Sequence, residues 1–175
     1  MILPAPPRRV YLAGAIEHAP DGGSEWRARM SQFLLQALGL EVFNPCVEEH
    51  SLLNPDEKHN FRAWKNSDPE RFRRIVRRFV DNDLAHLTRD TLFVVCLWDE
   101  YAGRGAGTAG ELTVAYLLRI PIYVVQGCPM DSIPSWILAC ASEILPDFSS
   151  LQDFLRHRYL RHGEPPTAQP SGFRA

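Results

Sequence analysis

The sequence predicts an α/β domain in which a doubly wound parallel sheet lies between two helical layers. Three observations carry that expectation. Apolar β-runs alternate with amphipathic helical segments from Val10 to Tyr159. The run Thr91–Leu97 is hydrophobic at almost every position, as a strand covered on both faces requires. The chain has 175 residues and 45% hydrophobic content, which suits a single domain with a substantial core. Alternating strands and helices then favour parallel strands joined by right-handed crossovers. Residues 1–8 read as a flexible Pro-rich lead, 9–160 as the domain, and 161–175 as a flexible tail.

The elements follow in order. Val10 to Ala15 is the first strand. Glu25 to Leu38 is a helix, with Trp26, Met30, Phe33, Leu34 and Ala37 at spacings of three and four, a possible Ser24 cap, and Gly39 as its stop. Leu40 to Phe43 is a short strand ending in the Asn44-Pro45 turn. Segment 46–66 is polar and reads as irregular, with Phe61 and Trp64 as anchors; its length favours a functional loop or lid. Ser67, Pro69 and Glu70 signal the next helix through a capping box and an early proline. Phe72, Ile75, Val76, Phe79, Val80, Leu84 and Leu87 form its apolar stripe. After the Thr91–Leu97 strand come a helix from Thr108 to about Leu118, a strand Ile120–Val125, a helical piece Trp136–Ala141, an edge strand Glu143–Leu145 and a final helix Leu151–Tyr159.

Composition narrows the function classes. The formal net charge is -2, without a long single-sign block, which gives no support to a nucleic-acid partner. Arg71, Arg73, Arg74, Arg77 and Arg78 crowd one helix, but Glu70 and Asp81 stand among them, so a solvated or oligomer-facing surface is expected. Cys46, Cys96, Cys128 and Cys140 are widely spaced and form no Cys-x-x-Cys, favouring reduced thiols. No apolar run spans a membrane, and the N-terminus lacks a signal peptide's apolar core. A cytoplasmic protein with no membrane partner is expected.

The segment from Trp98 to Ala115, WDEYAGRGAGTAGELTVA, concentrates the chemistry. It runs from a strand end through a glycine loop to a helix start, where parallel α/β folds place ligands. Thr108 and Glu111 match a capping box, which would make Glu111 structural. Gly103, Gly105 and Gly107 exceed what capping needs and suit close ligand approach. Free N–H groups in a first helical turn favour an ionised carboxylate, a plausible nucleophile for an anomeric carbon.

Asp83 adds a second acid. It stands four residues after Phe79 and three after Val80, on the apolar face, either for function or for hydrogen bonding at the helix end. Tyr11 either packs in the sheet or turns its hydroxyl toward a carboxylate. Asp99 and Glu100 close the central strand, where they could orient ribose hydroxyls or hold Mg²⁺, although no phosphate loop accompanies them. Backbone N–H groups of the glycine loop could cradle phosphate, with Arg104 as a counter-charge. Gly14, Asp99, Arg104, Gly105, Gly107 and Thr108 are the candidate substrate-binding set.

Taken in order, Val10-Tyr11-Leu12-Ala13-Gly14, Phe43-Asn44-Pro45, Asn82-Asp83-Leu84, Arg89-Asp90 and Gly107-Thr108-Ala109-Gly110-Glu111-Leu112 resemble the nucleoside 2-deoxyribosyltransferase superfamily, including its nucleotide N-glycosidase relatives. The resemblance implies a flavodoxin-like (Rossmann-like) three-layer fold and cleavage of an N-glycosidic bond in a nucleoside or nucleoside 5′-monophosphate. It implies Glu111 as the nucleophile that forms a glycosyl-enzyme, Tyr11 as the residue positioning it, and Asp83 as the acid assisting the base. Transfer to another base or to water follows. It also implies no metal or cofactor and a homodimer or higher homo-oligomer. Members that bind a free 5′-hydroxyl carry an aspartate six residues before the nucleophile, where this chain has Gly105. Base, sugar and 5′ group are therefore left open. The competing reading is a non-catalytic nucleotide or nucleotide-sugar binding protein.

Overall fold

In the computed structural model, which describes residues 9–88 and 91–160, the expected strands form one parallel sheet. They are β1 (Arg9–Gly14), β2 (Glu41–Phe43), β3 (Thr91–Trp98), β4 (Ile122–Gln126) and β5 (Glu143–Leu145), in the order β2-β1-β3-β4-β5. This is the doubly wound, flavodoxin-like order, in which the winding reverses between β1 and β3. The lead 1–8, the tail 161–175 and the Arg89-Asp90 pair lie outside the described residues.

The period-two alternation of β1 and β3 sorts their side chains between two layers. Val10, Leu12, Phe93 and Val95 face α1 (Ser24–Leu38) and α8 (Phe148–Leu160), meeting Met30, Leu34, Leu151 and Leu155. Tyr11, Ala13, Val94 and Cys96 face the other way, toward Leu112 and Ala115 of α6 (Gly107–Leu117) and Ile137 of α7 (Ser135–Cys140). β5 is the edge strand the sequence suggests, pairing β4 through Val124 and Ile144. Cys46, Cys96, Cys128 and Cys140 are all free thiols.

Segment 46–66 corrects the sequence expectation. It is not irregular but carries most of α2 (Pro45–Leu52), all of α3 (Pro55–Asn60) and part of α4 (Trp64–Ser67). Both Asn-Pro pairs start helices. The Asn44 side chain accepts from the Cys46 N–H at 3.1 Å, and Asn54 forms a reciprocal capping box with Glu57. Proline is well suited to the first helical position because its missing N–H would have no partner there. The anchors hold: Phe61 is buried with Leu53, Ile75 and Phe79, and Trp64 packs on that cluster.

Two expected caps are displaced. The long helix α5 (Pro69–His86) is capped by Asp68, whose carboxylate accepts from the Arg71 N–H at 3.0 Å, while the Ser67 hydroxyl bonds Ala63 O. A carboxylate at this end gains from the helix dipole as well as the hydrogen bond. At α1, Gly23 holds the cap position with φ 70°, so Ser24 is already helical. The Asp21 carboxylate takes up the free N–H groups of Gly23 and Glu25.

Candidate active site

A cavity of about 520 Å³ opens at the carboxyl ends of β1 and β3, the reversal point of the sheet. Gly14 and Ala15 form one edge, and the loop Gly105–Thr108 forms another. The far wall comes from the inserted helices and α5, through Phe61, Phe72, Val76, Phe79, Val80 and Leu84. The segment expected to be a loop or lid thus supplies a helical side wall.

Glu111 stands in the first turns of α6 and lines this cavity. The capping box does not form. Ala106 occupies the cap position with no side-chain cap bond, and Thr108 is buried one turn before Glu111. The Glu111 carboxylate instead accepts the Tyr11 hydroxyl at 2.8 Å. Tyr11 is fully buried in β1 and stacks on Phe43 with ring centroids 5.1 Å apart. Both alternatives for Tyr11 therefore hold at once: the ring is sheet core, and the hydroxyl serves a carboxylate.

Asp83 is 9% exposed and lines the same cavity, whereas Asp81 faces solvent. Its Oδ1 has no hydrogen-bond partner among the described residues. Helix-end bonding is satisfied separately, since the Leu87 N–H reaches the Asp83 main-chain oxygen. Burial pushes the Asp83 carboxyl up to about 6, against the pull of Asn82, His86 and Arg27.

At Glu111, desolvation works against the ionised form that a helix N-terminus favours. Burial pushes this carboxyl up to about 8, aided by the nearby Asp83 and Glu49 charges and opposed by the Tyr11 hydrogen bond and Arg27. A helix terminus contributes roughly 0.3–1 kcal/mol, less than desolvation in an acid-rich cavity. The phenol of Tyr11 is driven far upward by burial and by Glu111, so it remains a donor.

The substrate-binding candidates divide. Gly14, Gly105, Gly107 and Thr108 line the cavity. Asp99 and Arg104 do not. The Asp99 carboxylate accepts from the Tyr101 and Ala102 N–H groups at 3.0 and 2.8 Å, fixing the turn after β3. Arg104 extends over the Tyr101 ring at 5.0 Å and pairs with Glu100 at 3.4 Å on the surface. Asp99 Oδ1 and Arg104 Nη2 are thus used locally. Among the described residues, no group of three or more acidic, histidine or cysteine side chains is arranged to hold a metal ion.

Two further residues complete the electrostatics. Glu49 of α2 lines the cavity, and burial pushes its carboxyl up to about 7. Arg27 of α1 is fully buried and donates to four main-chain oxygens: Leu12 at 3.3 Å, Gly14 at 2.8 Å, Ala15 at 3.2 Å and Gly23 at 2.9 Å. It ties the loop after β1 to the strand end and holds a positive charge behind the acids. Gly23 is required there, because a Cβ would overlap both Arg27 and Ala15 O. The signal for Arg27 was present: Arg27, Met30 and Leu34 share one helical face. Glu49 stands three and four residues before Leu52 and Leu53, a pattern visible only once α2 is recognised as a helix.

Comparison with protein-family models returns no match, and comparison with curated proteins returns none either. Among the described residues, no helix is long and apolar enough to cross a membrane.

Proposed function

We propose that this chain cleaves the N-glycosidic bond of a nucleoside or nucleoside 5′-monophosphate through a covalent glycosyl-enzyme, as a member of the nucleoside 2-deoxyribosyltransferase superfamily. The observation that carries the reading is the 2.8 Å bond from the Tyr11 hydroxyl to Glu111 in a cavity shared with Asp83. A structural glutamate would cap α6; this one is drawn to a buried donor on a different element. The ordered motifs around Tyr11, Asp83 and Glu111 supply the chemical class, and the sheet's reversal point is a general ligand position.

In this mechanism the Glu111 carboxylate attacks C1′ and the C1′–N bond breaks. The base leaves with a proton from Asp83 or with hydrogen-bond assistance from it. Tyr11 orients the Glu111 oxygen and favours its anion. Water or a second base then attacks C1′ and frees Glu111, so configuration is retained. The cluster titrates as a unit, and attack draws on the species in which Glu111 is ionised and Asp83 protonated.

The test is free-base release from a panel of nucleosides and their 5′-monophosphates, followed by chromatography. Release that disappears in Glu111→Gln, together with a glycosyl adduct on the quenched wild-type protein, supports the proposal. Binding across the panel without release overturns it in favour of a nucleotide-binding protein. An acceptor base separates the outcomes of transfer and hydrolysis.

A further inference from the structure

Four carboxyl groups line the cavity, Glu49, Asp83 and Glu111 together with Glu17, which is paired with Lys65 at 3.0 Å, and the other walls are largely apolar. Burial raises Glu49, Asp83 and Glu111, and the Arg27 charge opposes the rise at each of them. Arg27 stands behind the acids with its guanidinium held by four main-chain oxygens, and Arg62 at the rim faces Glu17 at 3.9 Å. Asp83 is 9% exposed, and its Oδ1 is without a hydrogen-bond partner among the described residues. The acids are not gathered as a metal-ligand set. They are spread around a space that also presents Phe61, Phe72, Phe79 and Tyr101. Three of these rings already carry a cationic side chain, Arg62 over Phe61, Lys65 over Phe72 and Arg104 over Tyr101, so it is the separated carboxylates in an otherwise apolar space that suit a flat cation with delocalised charge.

We propose, resting on the N-glycosidase reading, that the substrate class is the N-glycoside of a cationic heteroaromatic base, of which a pyridinium riboside is the simplest case. Glu49 and Asp83 face the charged ring, and Glu111 faces C1′. As the Glu111 oxygen bonds to C1′, the C1′–N pair returns to the ring nitrogen. The ring's positive charge is quenched, and the base departs neutral without receiving a proton. Water then attacks C1′, restoring the Glu111 carboxylate and releasing the free sugar and one proton. For such a substrate Asp83 acts as an ionised counter-charge rather than as a proton donor.

The experiment titrates the full chain calorimetrically with 1-methylnicotinamide cation and with 3-methylbenzamide, a neutral compound of nearly the same shape. The cation is expected to bind at least about 10-fold tighter, the equivalent of ~1.4 kcal/mol. Glu49→Gln and Asp83→Asn are each expected to reduce cation affinity several-fold while leaving the neutral compound unchanged. Should Asp83→Asn fail to fold, Glu49→Gln carries the comparison. Equal affinities, no binding of either compound, or equal losses for both in the variants overturn the proposal. Base release from nicotinamide riboside and from uridine separates this proposal from the reading beneath it. Preferred release from the cationic riboside supports both. Release without that preference overturns the cationic class alone. Cation binding with no release from either compound overturns the glycosidase reading and the substrate class with it.

Discussion

The Tyr11 hydroxyl donates to Glu111 Oε1 at 2.8 Å, joining the first strand to a helix that begins almost a hundred residues later. The bond takes the Glu111 side chain away from the capping role that Thr108-x-x-Glu111 suggests. It also defines a sharp substitution. Tyr11→Phe keeps the ring stacked on Phe43 and removes the donor. A hydrogen bond to a charged group is worth about 1.5–3 kcal/mol, so kcat/KM for base release should fall roughly 10- to 100-fold. Because the bond favours the Glu111 anion, the pH profile should also move in the alkaline direction. An unchanged rate and profile would remove Tyr11 from the machinery.

The absent capping box makes a separate prediction at Thr108. A working threonine cap typically contributes about 1 kcal/mol. Thr108→Val retains the buried shape but loses the hydroxyl, and its stability to urea should stay within about 0.5 kcal/mol of wild type. A loss near the full capping value would show that Thr108 serves as the cap in solution. Under the proposed chemistry, Glu111→Gln should fold like wild type while turnover falls by about 10³-fold or more, as expected for removal of a covalent nucleophile.

The sheet was legible because hydrophobic periodicity is written locally: β1, β3 and β4 are apolar runs, and α1 and α5 have clear stripes. Asp83 was legible for the same reason, as an acid on an apolar face. Caps were less so, since Ser67 and Asp68 both qualify and only the exact winding of α5 chooses between them. Glu49 was hidden because two Asn-Pro helix starts resemble turns, and α2 and α3 are only eight and six residues long. Asp99 misled because a carboxylate at a strand end serves a following turn as readily as a ligand. Strand order and the Tyr11–Glu111 bond depend on contacts between distant segments, which no local pattern specifies.

The acid cluster makes stability depend on pH in a direction opposite to that of a salt-bridged carboxylate. Asp83, Glu49 and Glu111 have ordinary values of 3.8, 4.5 and 4.5, and folding raises them to about 6, 7 and 8. Between those limits the folded state holds more protons than the unfolded one, so raising the pH favours unfolding. Their stabilisation is complete below about pH 4 and is lost as pH rises through 6 to 8. Each affected proton sets a slope of up to about 1.4 kcal/mol per pH unit. Thermal scans of wild type should show Tm falling from pH 5.5 to 8.5, and Glu111→Gln should flatten the upper part of that fall. A wild-type Tm that rises across the interval, or an unchanged slope in the variant, would contradict the cluster electrostatics.

Arg27 supports both the loop after β1 and the charge balance of the cavity, and the two roles can be separated. Arg27→Met preserves much of the side chain's bulk but leaves the oxygens of Leu12, Gly14, Ala15 and Gly23 without their shared donor. Unsatisfied buried polar groups cost about 1–3 kcal/mol each; with partial relaxation, a total loss of at least about 3 kcal/mol is expected in urea unfolding. Arg27→Lys restores the positive charge without the planar fork that reaches several oxygens at once. It should recover less than half of the lost stability, yet return the pH profile of base release toward wild type, because Arg27 lowers the values of Asp83, Glu49 and Glu111 through charge. If lysine restores stability fully but leaves the Met variant's pH profile in place, the fork is dispensable and the electrostatic role assigned to Arg27 is wrong.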